Sequence, residues 1–181
     1  MGAISFRRAV PGDAPALGAL HVASWRETYA GILPEDMLAA LSAESRAAMW
    51  ERILGDPEAH AGAQVYVAQD GERLVGFGAC GEQREETLAG AGFGGEIGAI
   101  YVLRSHQHRG IGRAIMSLLA QAHLKADRRG ASLWVLRENL AARSFYERLG
   151  GTVVGERTEE APDAILVETA YGWRDLTVLV R

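Results

Sequence analysis

The residues best placed by type and spacing to do chemistry lie in one stretch, 96–113, which reads EIGAIYVLRSHQHRGIGR. Its first part, 97–103, is apolar and strand-like, and Arg104-Ser105-His106 forms a short polar link. Gln107-His108-Arg109-Gly110-Ile111-Gly112 then opens a helix. Ile111, Ala114, Ile115, Leu118, Leu119 and Ala122 recur at three- and four-residue spacing, one apolar stripe facing a core. A strand, a glycine-bearing turn and a helix N-terminus together make an anion site. Glycine lets the backbone approach a ligand, and the first helical N–H groups have no partner inside the helix. The positive end of the helix dipole adds to the attraction for phosphate. No carboxylate stands between Glu96 and Asp127, whereas Arg104, Arg109 and Arg113 gather at the turn. The competing reading is a solvated helix start with basic residues by coincidence.

Three phosphate-loop patterns can be compared with this turn. A Walker-type loop needs Gly-Lys-Ser/Thr, and the sequence has no such triplet. A dinucleotide fingerprint needs a third glycine where Ile115 stands, and it belongs to the first strand–helix unit of its domain. The remaining pattern, Gln-x-x-Gly-x-Gly after an apolar strand, resembles the pyrophosphate loop of the GNAT N-acetyltransferase superfamily, whose cofactor is acetyl-CoA.

A second motif carries the same resemblance. Asn139-Leu140-Ala141-Ala142-Arg143-Ser144-Phe145-Tyr146-Glu147-Arg148-Leu149-Gly150 is similar to the family's Asn-x-x-Ala-x-x-Phe-Tyr-x-x-x-Gly segment, one helix–strand unit after the first motif. The resemblance implies that Gln107, His108, Arg109, Gly110, Ile111, Gly112 and Arg113 bind pyrophosphate. It implies that the central strand bulges and splays, exposing the backbone of Ile100, Tyr101 and Val102 to the pantetheine arm. It places Asn139, Ala142 and Phe145 against the cofactor, and Tyr146 at the sulfur as general acid. A phenol suits that task, being protonated at neutral pH and able to donate to a developing thiolate. The alternative for Tyr146 is a hydroxyl that closes the pocket without moving a proton. Glu96 opens the central strand where the family often has a carboxylate, so it is the candidate base; otherwise it is a strand-end charge.

Other elements must position these groups. Residues 4–7 read as a first strand, and a helix is expected over 14–29, with Leu17, Leu20, Ser24 and Trp25 along one side. Trp25 and Tyr29 are core or lid residues by spacing. The segment 21–34 also resembles the family's first helical region, which lies over the acceptor site, and this makes both candidates for substrate contact. Pro34-Glu35-Asp36 starts a short helix, and Ser42 caps another that closes at Gly55. Residues 64–68 and 73–80 form a hairpin about Asp70-Gly71. Gly76 and Gly78 mark a bulge or a close approach. Residues 84–95 read as a glycine-rich loop, Gly130 as a helix end, 133–136 as a buried strand, and 152–157 and 165–173 as strands about a Pro162-Asp163 turn. The apolar tail 176–180 either extends the sheet or packs on a neighbour.

The 181 residues, 48% hydrophobic and 23% charged, predict a single domain over 1–181 with a real core. A net charge of −4 argues against a nucleic-acid partner. No apolar run has the length of a membrane span, and the N-terminal residues lack the apolar core of a signal peptide. Met1-Gly2 would suit myristoylation, but Phe6 occupies the required Ser/Thr position. The lone cysteine, Cys80, permits no internal disulfide and points to the cytoplasm; its apolar setting predicts an inert thiol. His21, His60 and His123 are scattered, so no metal site is expected, and His106 and His108 read as exposed turn residues.

The expected fold is α/β (α+β): a GNAT-like mixed, mostly antiparallel central sheet with a splayed parallel strand pair, flanked by helices. The expected function is transfer of an acetyl group from acetyl-CoA to a primary amine of a small molecule or peptide, by direct attack in a ternary complex. The family often forms dimers, so the resemblance allows a homodimer and leaves the oligomeric state open. The rival is a non-catalytic acyl-CoA-binding module on the same fold, whose cleft would be plugged by Trp25 or by the 84–95 loop.

Overall fold

The apolar run that precedes the glycine turn becomes the middle strand of the sheet. In the computed structural model, which describes residues 3–161 and 164–180, the strands are β1 (Ile4–Arg8), β2 (Gln64–Asp70), β3 (Arg73–Glu82), β4 (Gly95–Val102), β5 (Ala131–Leu136), β6 (Thr152–Ala161) and β7 (Ala164–Trp173). They form one seven-stranded sheet in the order β1-β2-β3-β4-β5-β7-β6. Neighbouring strands are antiparallel except β4 and β5, which run parallel. The helices are α1 (Ala14–Tyr29), α2 (Glu35–Ala39), α3 (Ala43–Gly55), α4 (Glu86–Gly90), α5 (Ile111–Lys125) and α6 (Leu140–Arg148). The Pro162-Asp163 turn and the Met1-Gly2 start lie outside the described residues.

The helices cover both faces. On one, α5 buries Ile115, Met116, Leu119 and Ala120 completely. Gly78 lets it come close, since a Cβ there would stand 2.5 Å from Ile115 Cγ2. The expected alternatives for this glycine thus resolve to close approach. On the other face Leu17 and Leu20 of α1 and Trp50 of α3 pack on Val65, Val67 and Phe77. Burying each such side chain stabilises the fold by about 1.5–3 kcal/mol. Ser42 caps α3 by accepting from the Ser45 N–H at 3.1 Å.

Four local readings change. The 84–95 segment contains α4, whose Leu88 is buried in a stretch otherwise too polar and glycine-rich to announce a helix. Helix α5 stops at Lys125, with Asp127 in a left-handed conformation, five residues before Gly130. Gly130 instead permits a tight crossing: a Cβ there would meet the Gly92 carbonyl oxygen at 2.4 Å. β6 runs on to Ala161 because β7 pairs with it throughout. The tail becomes a 3-10 turn, Leu176–Leu179, that buries Leu176 and Leu179 against the α5 side of the core.

One irregularity opens the sheet. β4 pairs with β5 only at Gly95–Ala131 and Glu96–Ser132. Beyond these two pairs, β5 stays bonded to β7 and β4 to β3, so the facing edges of β4 and β5 separate. The β3–β4 register also shifts: Ala79 faces Ala99 and Cys80 faces Ile97, leaving Gly98 as the extra residue of a bulge.

Candidate active site

The separation of β4 from β5 creates a cleft of about 670 Å³. Its walls are residues 97–102 of β4 and 133–135 of β5, with the glycine turn at one end and α6 across from it. Ile100, Tyr101 and Val102 all line it.

The turn has the geometry of an anion seat. His108 and Gly110 take positive φ of 60° and 79°, which turns the chain sharply into α5. The first helical bond runs from the Ala114 N–H to the Gly110 carbonyl at 3.0 Å, so the N–H groups of Ile111, Gly112 and Arg113 have no acceptor within the helix. Gly110 offers no side-chain cap. Gly112 permits a close approach: a Cβ would lie 3.2 Å from Phe145 Cζ, the ring by which α6 packs on the first turn of α5. Gln107, His108, Gly110, Gly112 and Arg113 line the cleft. Ile111 contributes backbone only, its side chain being buried in the core. Arg109 is not among the lining residues; its guanidinium donates to the Ser105 carbonyl at 3.0 Å. Gln107 donates to the Val102 carbonyl at 3.0 Å and so ties the turn to the end of β4.

His106 differs from its expected exposure. It is buried, with Nδ1 2.8 Å from Ser105 Oγ and Nε2 3.4 Å from Asp70 Oδ2. It braces the turn against the β2–β3 hairpin, a contact invisible to local sequence. His108 is exposed as expected.

Across the cleft, Asn139, Ala142, Phe145 and Tyr146 all reach the wall. Asn139 also caps α6, its Oδ1 accepting from the Ala142 N–H at 3.2 Å. Tyr146 is 6% exposed and packs between Phe145, Tyr171 and Trp173. Burial, and secondarily the nearby Tyr29, raise its pKa well above that of a free phenol. The hydroxyl therefore stays protonated throughout the neutral range.

Tyr29 and Tyr101 add two more phenols. Their hydroxyls are 3.0 Å apart, both line the cleft, and burial raises both pKa values. Trp25 does not reach the cleft wall; it stands edge-on behind Tyr29 at 5.0 Å, with Arg46 over its ring at 5.3 Å. Glu96 sits on the last paired rung, one residue before the cleft begins, and is not in its wall. Arg84 holds both its oxygens, at 2.5 and 3.0 Å.

Cys80 is buried on the α5 side of the sheet, and burial pushes its thiol up to about 12. Arg104, one of the basic residues gathered at the turn, lines the cleft, and so do Glu27, Trp134 and Arg148, which were not singled out from sequence. Gly98 had a signal, since glycine inside a strand pattern marks bulges. Arg148 had none, because the end of α6 meets the start of α5 only in the folded chain. No helix is long and apolar enough to cross a membrane among the described residues.

The sequence matches the model of the acetyltransferase (GNAT) family over residues 22–151. It is 33% identical over 178 residues to the uncharacterized N-acetyltransferase YuaI of Bacillus subtilis, covering 97% of this chain and 96% of that one. The fold is shared with the PaiA N-acetyltransferase of Thermoplasma acidophilum, solved in complex with coenzyme A, at a TM-score of 0.70 and 20% identity, covering 92% and 98% of the two chains. It is likewise shared with yncA of Salmonella typhimurium, solved with its cofactor acetyl-CoA, at a TM-score of 0.69 and 19% identity, covering 97% and 95%.

Proposed function

Because this chain belongs to the acetyltransferase (GNAT) family, we propose that it works as one domain that transfers the acetyl group of acetyl-CoA to a primary amine, directly and without an acyl-enzyme. The observation that carries the reading is the open edge of β4 running between unpartnered helix N–H groups and Tyr146. The N–H groups of Ile111, Gly112 and Arg113 hold the pyrophosphate. The β4 edge pairs with the pantetheine amides as a further strand would, and supplies donors for the thioester carbonyl as it gathers charge. The thioester contributes an activated acetyl group. Attack forms the C–N bond and breaks the C–S bond; the amine loses a proton and the departing sulfur receives one from Tyr146.

Glu96 takes the amine proton through water, since Arg84 occupies its oxygens directly. The Arg84 side chain is 72% exposed, so the pair it makes with Glu96 is open to water on the arginine's side. Glu96→Gln is expected to lower kcat at pH 7 by about tenfold or more. The loss should shrink as pH rises to where the free amine is neutral unaided. A loss of constant size across the pH range would assign Glu96 to ion pairing alone.

Tyr29 and Tyr101 form the acceptor end of the cleft, with Trp25 stiffening Tyr29 from behind. Neither Trp25 nor the 84–95 segment plugs the cleft, the feature that would have favoured a non-catalytic module.

The direct route is tested at Cys80. Its raised pKa leaves almost no thiolate at neutral pH. Cys80→Ala should keep the rate of thiol release from acetyl-CoA within about twofold. Intact-mass measurement of the wild type with acetyl-CoA alone should show no added acetyl group; an acetyl adduct on Cys80 would establish a covalent route instead.

A further inference from the structure

The proposed acid and base stand on opposite arms of the fork between β4 and β5. Glu96 belongs to β4, which stays bonded to β3. Tyr146 belongs to α6, which follows β5 after residues 137–139 and packs on Tyr171 and Trp173 of β7. The backbone joins the two arms at the rungs Gly95–Ala131 and Glu96–Ser132. One side chain reaches both arms at the same place. Gln83, the residue after β3, donates from Nε2 to Ser132 Oγ at 2.8 Å and to the Gly95 carbonyl at 3.4 Å. A primary amide carries two N–H donors, so one nitrogen serves both acceptors. Gln83 Oε1 accepts from the Glu85 N–H at 3.1 Å, and the Gln83 backbone N–H donates to the Gly94 carbonyl at 3.0 Å. Ser132 is 1% exposed, so its hydroxyl is shut off from water and takes its bond from Gln83. The next two residues hold neighbouring groups. Arg84 pairs with Glu96, and Glu85 pairs with Arg157, whose guanidinium lies over the Trp134 ring at 4.3 Å.

We propose that Gln83 is a positioning residue: its amide fastens β4 to β5 at their last paired rung and so sets the separation between Glu96 and Tyr146 across the cleft. The inference rests on the reading of those two residues as base and acid. Each strand is paired far more extensively with its other neighbour than with its partner in the fork, so the two rungs alone leave the arms free to shift against each other. A small movement at the closed end displaces the groups carried farther along the arms. A misplacement of about 1 Å costs about 100-fold in rate. The pyrophosphate seat follows the opposite end of β4 and does not depend on the clamp. Loss of Gln83 therefore acts on turnover more than on cofactor binding. A bond that served stability alone would lower the thermal midpoint and leave turnover per folded chain as it was.

The test uses Gln83→Met, which keeps the chain length and removes the amide, together with Ser132→Ala and the double variant. Amide hydrogen exchange of the free chain needs no acceptor and reads the fork directly. Gln83→Met should speed exchange at residues 95–97 and 131–133 by about tenfold or more and leave the β2–β3 hairpin unchanged. Calorimetry should find acetyl-CoA affinity within about threefold of the wild type, while thiol release at saturation, with phenylethylamine as the probe amine, falls about tenfold or more. The double variant should lose no more than the worse single one, as two partners in one bond require. Unchanged exchange at the fork, or faster exchange with kcat unchanged, would overturn the proposal and leave the acetyl-CoA reading intact. Single losses that add in the double variant would overturn it too. Turnover unchanged in both Tyr146→Phe and Glu96→Gln would overturn the acid–base reading itself, and the proposal with it.

Discussion

Tyr146→Phe lowers kcat about 100-fold or more while acetyl-CoA affinity stays within about twofold of the wild type. Loss of a general acid removes a proton from the transition state and leaves ground-state contacts in place, so the two parameters separate. A hundredfold loss is about 2.7 kcal/mol of barrier. The packing argues that phenylalanine fits: Tyr146 is held by the rings of Phe145, Tyr171 and Trp173 rather than by a hydrogen bond at its hydroxyl. The pH dependence carries a sign. Because burial raises the phenol pKa, the acid form persists above the range in which a free tyrosine titrates. Tyr146 then sets no falling limb between pH 7 and 10. The rising limb belongs to deprotonation of the amine, and Tyr146→Phe should lower the whole profile without moving it. Steady-state kinetics alongside calorimetry read both quantities; equal losses of kcat and affinity would mean that Tyr146 shapes the pocket and donates no proton.

The other large effect is expected at the turn. Gly110→Val with Gly112→Val should weaken acetyl-CoA binding about 100-fold or more. Gly110 sits at φ 79°, where a β-branched side chain costs about 1–3 kcal/mol of strain, so the turn relaxes and its N–H groups lose their common direction. Gly112 faces Phe145, and added atoms there push α6 away from α5. The milder Gly112→Ala meets Phe145 Cζ at 3.2 Å and should weaken binding several-fold with the fold intact. If calorimetry shows that Gly112→Ala and the double variant, both still folded, bind as tightly as the wild type, the pyrophosphate does not sit at this turn.

What could be read from the sequence was set by how local each signal is. The turn 107–112 and the segment 139–150 were legible because neighbouring residues carry their whole geometry: a left-handed glycine, a helix stripe, an asparagine cap. The mixed sheet followed from the element order and the parallel crossover between β4 and β5. Contacts made at a distance stayed hidden. Nothing near His106 reveals Asp70, and nothing near Glu96 reveals Arg84. Gly130 looked like a helix end but serves a crossing with Gly92, a contact between segments far apart in sequence. Trp25 and Tyr29, four residues apart on one helix, are indistinguishable by spacing; the fold sends Tyr29 to the cleft and leaves Trp25 behind it. The tail was ambiguous because Leu176 and Leu179 bury equally well in a strand or in a 3-10 turn, and the surface of α5 decided the matter.

The central claim is that acetyl-CoA occupies the gap between β4 and β5. The measurement that tests it most directly is titration of the purified chain with acetyl-CoA, followed by amide hydrogen exchange on the saturated protein. The account predicts saturable binding at one site per chain, with new protection concentrated in residues 97–102 and 111–113. No binding by a folded chain, or protection that leaves both segments unchanged, would contradict it.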